Sequence, residues 1–231
     1  MPTIAFASPK GGAGKTTAAV VLATELARKS NVTLIDADPN KPVSGWANLP
    51  GRPEQLSVIG DVSESTIIDE IDAAAESAPF VIIDLEGTAS MMVGYAISRA
   101  DLVIIPTQGS QLDAKQAARA IKLVEQQEKA FRRPIPHAVL LTRTSAAIQP
   151  RSLRHIQEQL LGYGVDVFET QIIERDAFRA LFSFGGALGD LDRKQVSNLD
   201  AAISNARAFA GEVVGKLRAQ RDEAARDGEV A

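Results

Sequence analysis

Residues 8–17 read Ser-Pro-Lys-Gly-Gly-Ala-Gly-Lys-Thr-Thr, between the apolar run Thr3–Ala7 and the helical run Ala18–Arg28. A buried strand, a glycine-rich turn and a helix start in that order leave few folds open. The glycines let backbone N–H groups turn inward around a polyphosphate, and the following helix adds its N-terminus. Gly11, Gly12, Ala13, Gly14, Lys15, Thr16 and Thr17 are thus expected to bind the phosphates of a nucleotide. Lys15 would reach the β and γ phosphates and the Thr16 hydroxyl would ligate Mg²⁺.

At 231 residues the chain suits one α/β domain with a sizeable core. The expected fold is a single P-loop NTPase domain over residues 1–231, a mostly parallel twisted sheet with helices on both faces. It contains no cysteine, which excludes a disulfide framework, a thiolate zinc site and a cysteine-held iron–sulfur cluster. With the first strand beginning so early no signal peptide is expected, and no apolar run approaches the roughly 20 residues of a membrane span. A cytoplasmic protein without a membrane partner is expected.

Three further strands read as continuous apolar runs that end in chemistry. Asn31–Asp36 leads to Asp36-Ala-Asp38-Pro39, Pro79–Asp84 ends in an acid, and Asp101–Pro106 repeats the pattern. Buried parallel strands look like this, and their carboxyl ends are where α/β sheets hold ligands. Asp84 is placed to contact Mg²⁺ through water. Helices are expected at Pro42–Leu49, Ser63–Ala78, Ala114–Phe131 with Asp113 as its cap, Ser152–Leu161 and Val196–Arg221. Short strands are expected at Leu56–Ile59, Ile135–Leu141 and Val165–Phe168. On the helix from Ala114, Ala117, Ala118, Ile121 and Val124 have the spacing of a buried stripe. The tail 218–231 is charged, nearly free of large apolar side chains and expected to fray.

Lys10 stands where an ordinary phosphate loop needs no cation. Taken as a unit, Lys10-Gly-Gly-Ala-Gly-Lys-Thr-Thr17 resembles the deviant Walker A box of the ParA/MinD ATPases, and the later segments resemble the small ParF-like partition ATPases and their VirC-type relatives. The resemblance implies that Lys10 acts in trans on the nucleotide of a second copy, so that ATP holds a homodimer together. It also implies catalytic roles for Lys10, Lys15 and Asp38, with Asp38 positioning the attacking water. Thr16, Asp36 and Asp84 form the implied metal set. Thr142 and Arg143 fall where the family places residues beside adenine. The stretch Ile172-Ile-Glu-Arg-Asp-Ala-Phe178 resembles its purine-contacting segment, which makes Arg175 and Asp176 candidate base or ribose neighbours or, alternatively, ordinary helix-start charges. Leu85-Glu86-Gly87-Thr88 departs from the usual Asp-x-Pro-Pro. There Gly87 is a candidate γ-phosphate sensor, and Glu86 reads either as a general base or as a solvated loop acid.

Between Lys115 and Arg154 there are nine basic residues and two acids, although the net charge of the whole chain is −4. Lys115, Arg119 and Lys122 share one helical face by their spacing. With Arg151 and Arg154 they are the candidate contacts to non-specific DNA, or else a solvated face. The function implied is a nucleoid-associated partition ATPase with ATP and Mg²⁺ as cofactors. A ParB-like or cargo-adaptor protein would stimulate it. A conjugation accessory ATPase of the VirC type and a carboxylate-activating synthetase of the dethiobiotin type remain alternatives.

Overall fold

Strand β1 (Thr3–Phe6) lies at the centre of a seven-stranded sheet in the computed structural model, which describes residues 1–87, 90–146, 151–162 and 164–230, without the side chains of Gln111, Arg151, Ser152, His155, Ala224 and 227–230. The other strands are β2 (Val32–Ala37), β3 (Leu56–Ile59), β4 (Phe80–Leu85), β5 (Leu102–Thr107), β6 (His137–Thr144) and β7 (Ile172–Ile173). Their order is β3-β2-β4-β1-β5-β6-β7, every pairing parallel. β1 has its neighbours on either side, β4 and β5, from later in the chain. The order therefore reverses at β1, and a crevice opens beyond its carboxyl end.

Alternation along the strands feeds two cores, because successive side chains face opposite sides of a sheet. Ile4, Phe6, Leu34, Ile82 and Leu140 pack on one face with α1 (Lys15–Ala27), α2 (Pro42–Ala47), α7 (Asp176–Phe184) and α8 (Leu199–Val230). Ala5, Ile35, Ile83, Val103 and Val139 pack on the other with α3 (Ile67–Ser77), α4 (Met91–Arg99), α5 (Gln111–Phe131) and α6 (Arg151–Gly162). Helices on both faces explain why these strands are apolar throughout. Pro106 is tolerated in buried β5 for a specific reason. The Val103 N–H donates towards β6, so position 106 would donate towards β1, whose ladder has already ended at the Phe6–Ile104 pair.

Several expectations need correcting. The stretch Val165–Phe168 forms a single bridge, Val139 to Val167, before the chain moves on to β7. Ser110, not Asp113, caps α5, its hydroxyl accepting from the Asp113 N–H at 3.2 Å. In the buried stripe of α5, Ala120 replaces Ala118, which is exposed. The final helix extends to Val230, past its expected end at Arg221. Its last turns are rich in Ala, Arg, Gln and Glu, which favour helix even when exposed. Among the described residues no helix is long and apolar enough to cross a membrane.

Candidate active site

The loop after β1 owes its shape to a few backbone positions and two outside clamps. Gly12 and Gly14 have φ of 77° and 88°, a region that L side chains resist. Gly14 caps α1 without a side-chain bond, so the first N–H groups of the helix are left for a ligand. A Cβ on Gly11 would meet no atom within 4 Å beyond its chain neighbours, so the space beside it is open to a ligand.

The clamps come from the neighbouring strand ends. Gln108 Nε2 donates to the Gly12 carbonyl at 2.9 Å, and Thr142 Oγ1 donates to the Ala13 carbonyl at 2.7 Å. Because a trans peptide sets its C=O and N–H on opposite sides, holding these two oxygens aims the Ala13 and Gly14 N–H groups the other way. Thr142 Oγ1 also reaches the Thr107 carbonyl at 3.1 Å, tying β5, β6 and the loop together.

β2 and β4 bring Asp36 and Asp84 side by side, paired in register, and both are fully buried. Asp36 Oδ2 accepts from the N–H and hydroxyl of Ser44, at 2.7 and 2.8 Å, while its Oδ1 has no partner. Neither oxygen of Asp84 has a hydrogen-bond partner of normal geometry. Burial pushes the Asp84 carboxyl up to about 7. The Thr16 hydroxyl and the Lys15 cation pull the other way, and the Asp36 and Asp38 charges reinforce the rise. Three orphaned, buried carboxylate oxygens next to a threonine hydroxyl are a hard donor set that suits a hydrated Mg²⁺. Lys15 is itself buried, at 8 % exposure.

Asp38 is half-buried at the rim, where its Oδ1 accepts from the N–H and the side-chain amide of Asn40, at 2.8 and 2.9 Å. Lys41, at φ 50°, donates to the Asp36 carbonyl at 3.2 Å. Gly87 lies against the loop, since a Cβ there would be 3.8 Å from the Pro9 carbonyl. Glu86 is exposed, and Thr88 lies outside the described residues. Lys10 turns to its own chain, with Nζ 2.7 Å from Asp113 Oδ1.

Beside the loop, a cavity of about 360 Å³ is lined by Gly14, Thr17, Thr142, Arg143, Ile172–Arg175, Phe178, Arg179 and Phe182. Its size and mixed walls suit a nucleoside. Arg143 sits on a β-bulge between Thr142 and Thr144 with φ 52°. Arg175 Nε is buried without a partner. Asp176 does not line the cavity; its Oδ1 is 3.4 Å from Nε of Arg179, which does. Reading the sequence missed Ser44, Gln108, Phe178, Arg179 and Phe182. Of these, Phe178 lay within the segment that resembles the purine-contacting stretch, and Gln108 within Thr107–Asp113, which resembles the family's loop near the dimer interface.

On the outer face, Lys115, Arg119 and Lys122 of α5 and Arg154 of α6 are exposed. The side chain of Arg151 lies outside those described. Arg133 is unavailable, because it donates to the Ser98 and Ala100 carbonyls at 2.7 and 2.9 Å.

A strand, glycine loop and helix at the point of sheet reversal define a nucleotide-binding protein of the P-loop class, and the second lysine of the loop places it with the ParA/MinD type. The family model described as VirC1 protein matches residues 1–211, and the chain belongs to that family. It is 46% identical to "Protein ParA" of Rhizobium radiobacter over 218 residues, covering 94% of this chain and 98% of the relative. It is 30% identical to "Protein virC1" of Rhizobium rhizogenes, covering 78% of this chain and 80% of that one. Among solved structures, a plasmid partition protein of Borrelia burgdorferi bound to AMPPNP superposes with a TM-score of 0.68 at 19% identity, covering 93% of this chain and 99% of the other. The ParA/MinD resemblance, with its VirC-type relatives, and the parallel α/β fold are both borne out.

Proposed function

We propose that this chain is an ATPase that pairs around Mg-ATP, holds DNA without sequence preference while paired, and hydrolyses ATP slowly until a partner stimulates it. The outcome would be segregation of plasmid or other DNA, or positioning of a cargo over the nucleoid. The observation that carries the reading is the buried Asp36–Asp84 pair, three of whose oxygens are orphaned beside Lys15 and the loop. A carboxylate left buried and unpaired is costly unless a cation completes it.

In hydrolysis the oxygen of a water bonds to the γ-phosphorus as the bond to the β–γ bridging oxygen breaks. ADP leaves with that electron pair, and the water's proton passes to phosphate or solvent. Catalysis here is positioning and charge compensation. Lys15 and the Ala13 and Gly14 N–H groups hold the phosphate oxygens; Thr16, Asp36 and Asp84 hold the metal site. Mg²⁺ held there would supply positive charge to offset that of the triphosphate. Asp38 orients the water, and Lys10 serves the nucleotide of the second copy. Arg143, Arg175 and the wall formed by Phe178 and Phe182 enclose the base, with Thr142 bracing the loop rather than spending its hydroxyl on adenine. The exposed cations of α5 and α6 meet DNA phosphates.

Asp38→Ala tests the chemistry. ATP binding is expected within about threefold of wild type while phosphate release falls by about 100-fold, a loss confined to the transition state. Undiminished turnover would remove Asp38 from the mechanism.

A second reading is a conjugation accessory ATPase, favoured by the VirC1 family match over residues 1–211. It requires preference for a transfer-origin duplex over random duplex of equal length. Equal retention on both supports partition.

A further inference from the structure

Strand β7 is two residues long and ends the sheet, so among the described residues its outer edge has no strand to pair with. Its inner edge meets β6 across a bulge, with Thr142 opposite Ile172 and Thr144 opposite Ile173. So short and irregular a pairing leaves a strand weakly held. Yet residues 172–175 line the cavity beside the phosphate loop, and the buried Arg175 Nε among them has no partner in the described structure. A further contact is needed to hold this wall in place.

Helix α8 supplies that contact with side chains. The Glu174 N–H donates inward to the Thr144 carbonyl at 2.9 Å, while the Gln171 carbonyl and the Ile173 N–H face outward. Asn205 Nδ2 donates to the Gln171 carbonyl at 2.7 Å, and its Oδ1 accepts from the Ile173 N–H at 3.0 Å. A residue of a neighbouring parallel strand makes the same two bonds, one on each side of the residue opposite. A side-chain amide carries the donor and acceptor this needs on one carbon, as a peptide does. Asn205 thus stands in for a further strand. The same face of α8 continues along the segment. Glu212 accepts from the N–H groups of Glu169 and Thr170, at 2.8 Å each, and Lys216 reaches Asp166 Oδ2 at 2.6 Å while lying 5.1 Å from the Phe168 ring centre. Of the three, Asn205 is the one bonded to a residue of the cavity wall.

We propose that Asn205 is a positioning residue for nucleoside binding: by closing the outer edge of β7 it sets Ile173 and Arg175 against the base and ribose of a bound nucleotide. This rests on the reading in which the cavity takes the nucleoside of ATP. Asn205 does not itself line the cavity, so it acts through the strand it holds. The phosphate end is fixed separately, by the bonds from Gln108 and Thr142 to the loop. Asn205 therefore governs the share of affinity that comes from the nucleoside and leaves the share from the phosphates alone. A side chain that merely stabilised the fold would weaken both alike.

The test is equilibrium binding of ATP, ADP and inorganic triphosphate, each with Mg²⁺, to wild type, Asn205→Leu, Asn205→Asp and Glu212→Ala. Steady-state turnover, hydrogen exchange at the Ile173 amide and thermal melting are followed alongside. Asn205→Leu keeps the bulk and removes both bonds. It is expected to speed exchange of the Ile173 amide, to weaken ATP and ADP by about tenfold, the scale of a lost buried hydrogen bond, and to leave inorganic triphosphate within about twofold of wild type. KM for ATP should rise by about tenfold with kcat unchanged. Asn205→Asp keeps the bond from Ile173 and loses the one to Gln171, so a loss of about threefold, again confined to the nucleotides, is expected. It carries the test if melting shows that Asn205→Leu does not fold. Glu212→Ala releases the same segment ahead of the wall and should leave all three ligands within about twofold of wild type. Equal losses for ATP and inorganic triphosphate, unchanged ATP binding by the Asn205 variants, or nucleotide losses in Glu212→Ala as large as in Asn205→Leu would each overturn the assignment. Wild type that binds ATP no more tightly than inorganic triphosphate would overturn the reading of the cavity itself, and the inference with it.

Discussion

The phosphate end and the base end of the nucleotide cavity are built in contrasting ways. At the phosphate end, Lys15, Asp36 and Asp84 are buried, and adjacent strands hold the two carboxylates in register. At the base end, the wall is assembled from the bulge at Arg143, the short β7 and the first turns of α7, with Arg179 largely exposed. The first is a rigid frame with uncompensated charge; the second is a mixed apolar and cationic wall. The difference implies that charge compensation at the phosphates dominates catalysis and metal binding. Base contacts would then add affinity without distinguishing ATP from ADP.

The sharpest way to break that contrast is Asp84→Asn. Phosphate release should fall by about 100-fold or more, the scale expected on losing one charge-stabilising group. The stability of the unliganded protein should move oppositely. With its folded pKa near 7 against 3.8 unfolded, Asp84 keeps its proton longer in the folded state. Its burial thus costs nothing below about pH 4, and stability falls as pH rises from there to about 7, where the loss is complete. At pH 8 the Asn variant should be more stable than wild type by up to about 4 kcal/mol in urea unfolding, and the gap should close near pH 4. An Asn variant less stable than wild type at both pH values would mean that Asp84 is satisfied in the unliganded protein.

Thr142→Val sharpens the contrast at the boundary, because it removes the clamp on Ala13 while keeping the shape. Loss of one buried hydrogen bond predicts nucleotide binding weakened by about tenfold, for ATP and ADP alike. Phe182→Ala, on the base side, should weaken both nucleotides by about threefold to fivefold and leave turnover at saturation unchanged. A loss confined to ATP would show that the two ends are not independent. The smallest effect on the nucleotide belongs to the outer face. Reversing Lys115, Arg119 and Lys122 to Glu should leave ATP binding intact, while the salt dependence of retention on random duplex falls by about one unit of slope for each cation that had paired with a DNA phosphate.

What the sequence discloses follows the same division. The phosphate end was legible because its parts are contiguous: each strand is an apolar run ending in its own functional residue, and the loop is a single motif. Ser44 was not legible, because its bond to Asp36 depends on how α2 folds back over the end of β2. The clamps from Gln108 and Thr142 depend on sheet order, which puts β5 and β6 beside the loop from about a hundred residues away. The base end was visible only in part. Arg143 and Arg175 lie on the wall, but Asp176 does not and reaches it only through an i,i+3 pairing with Arg179. Helix α4 is only nine residues long with Gly94, a poor helix former, near its middle, and Val165–Phe168 has strand composition without a continuous partner. On the outer side the shared face of Lys115, Arg119 and Lys122 was legible from their spacing, but which of the nine cations stay available was not. Arg133, one of the nine cations, is committed to two carbonyls.

The central claim is that the loop and the two strand-end carboxylates together make a Mg-nucleotide site. Equilibrium titration of a fluorescent ATP analogue into wild type and Lys15→Ala, each with Mg²⁺ and with EDTA, tests it most directly. The account predicts that wild type binds at least about tenfold more weakly in EDTA, and that Lys15→Ala loses about 100-fold with Mg²⁺ present. Equal binding by the two proteins, or binding by wild type that is indifferent to the metal, would contradict it.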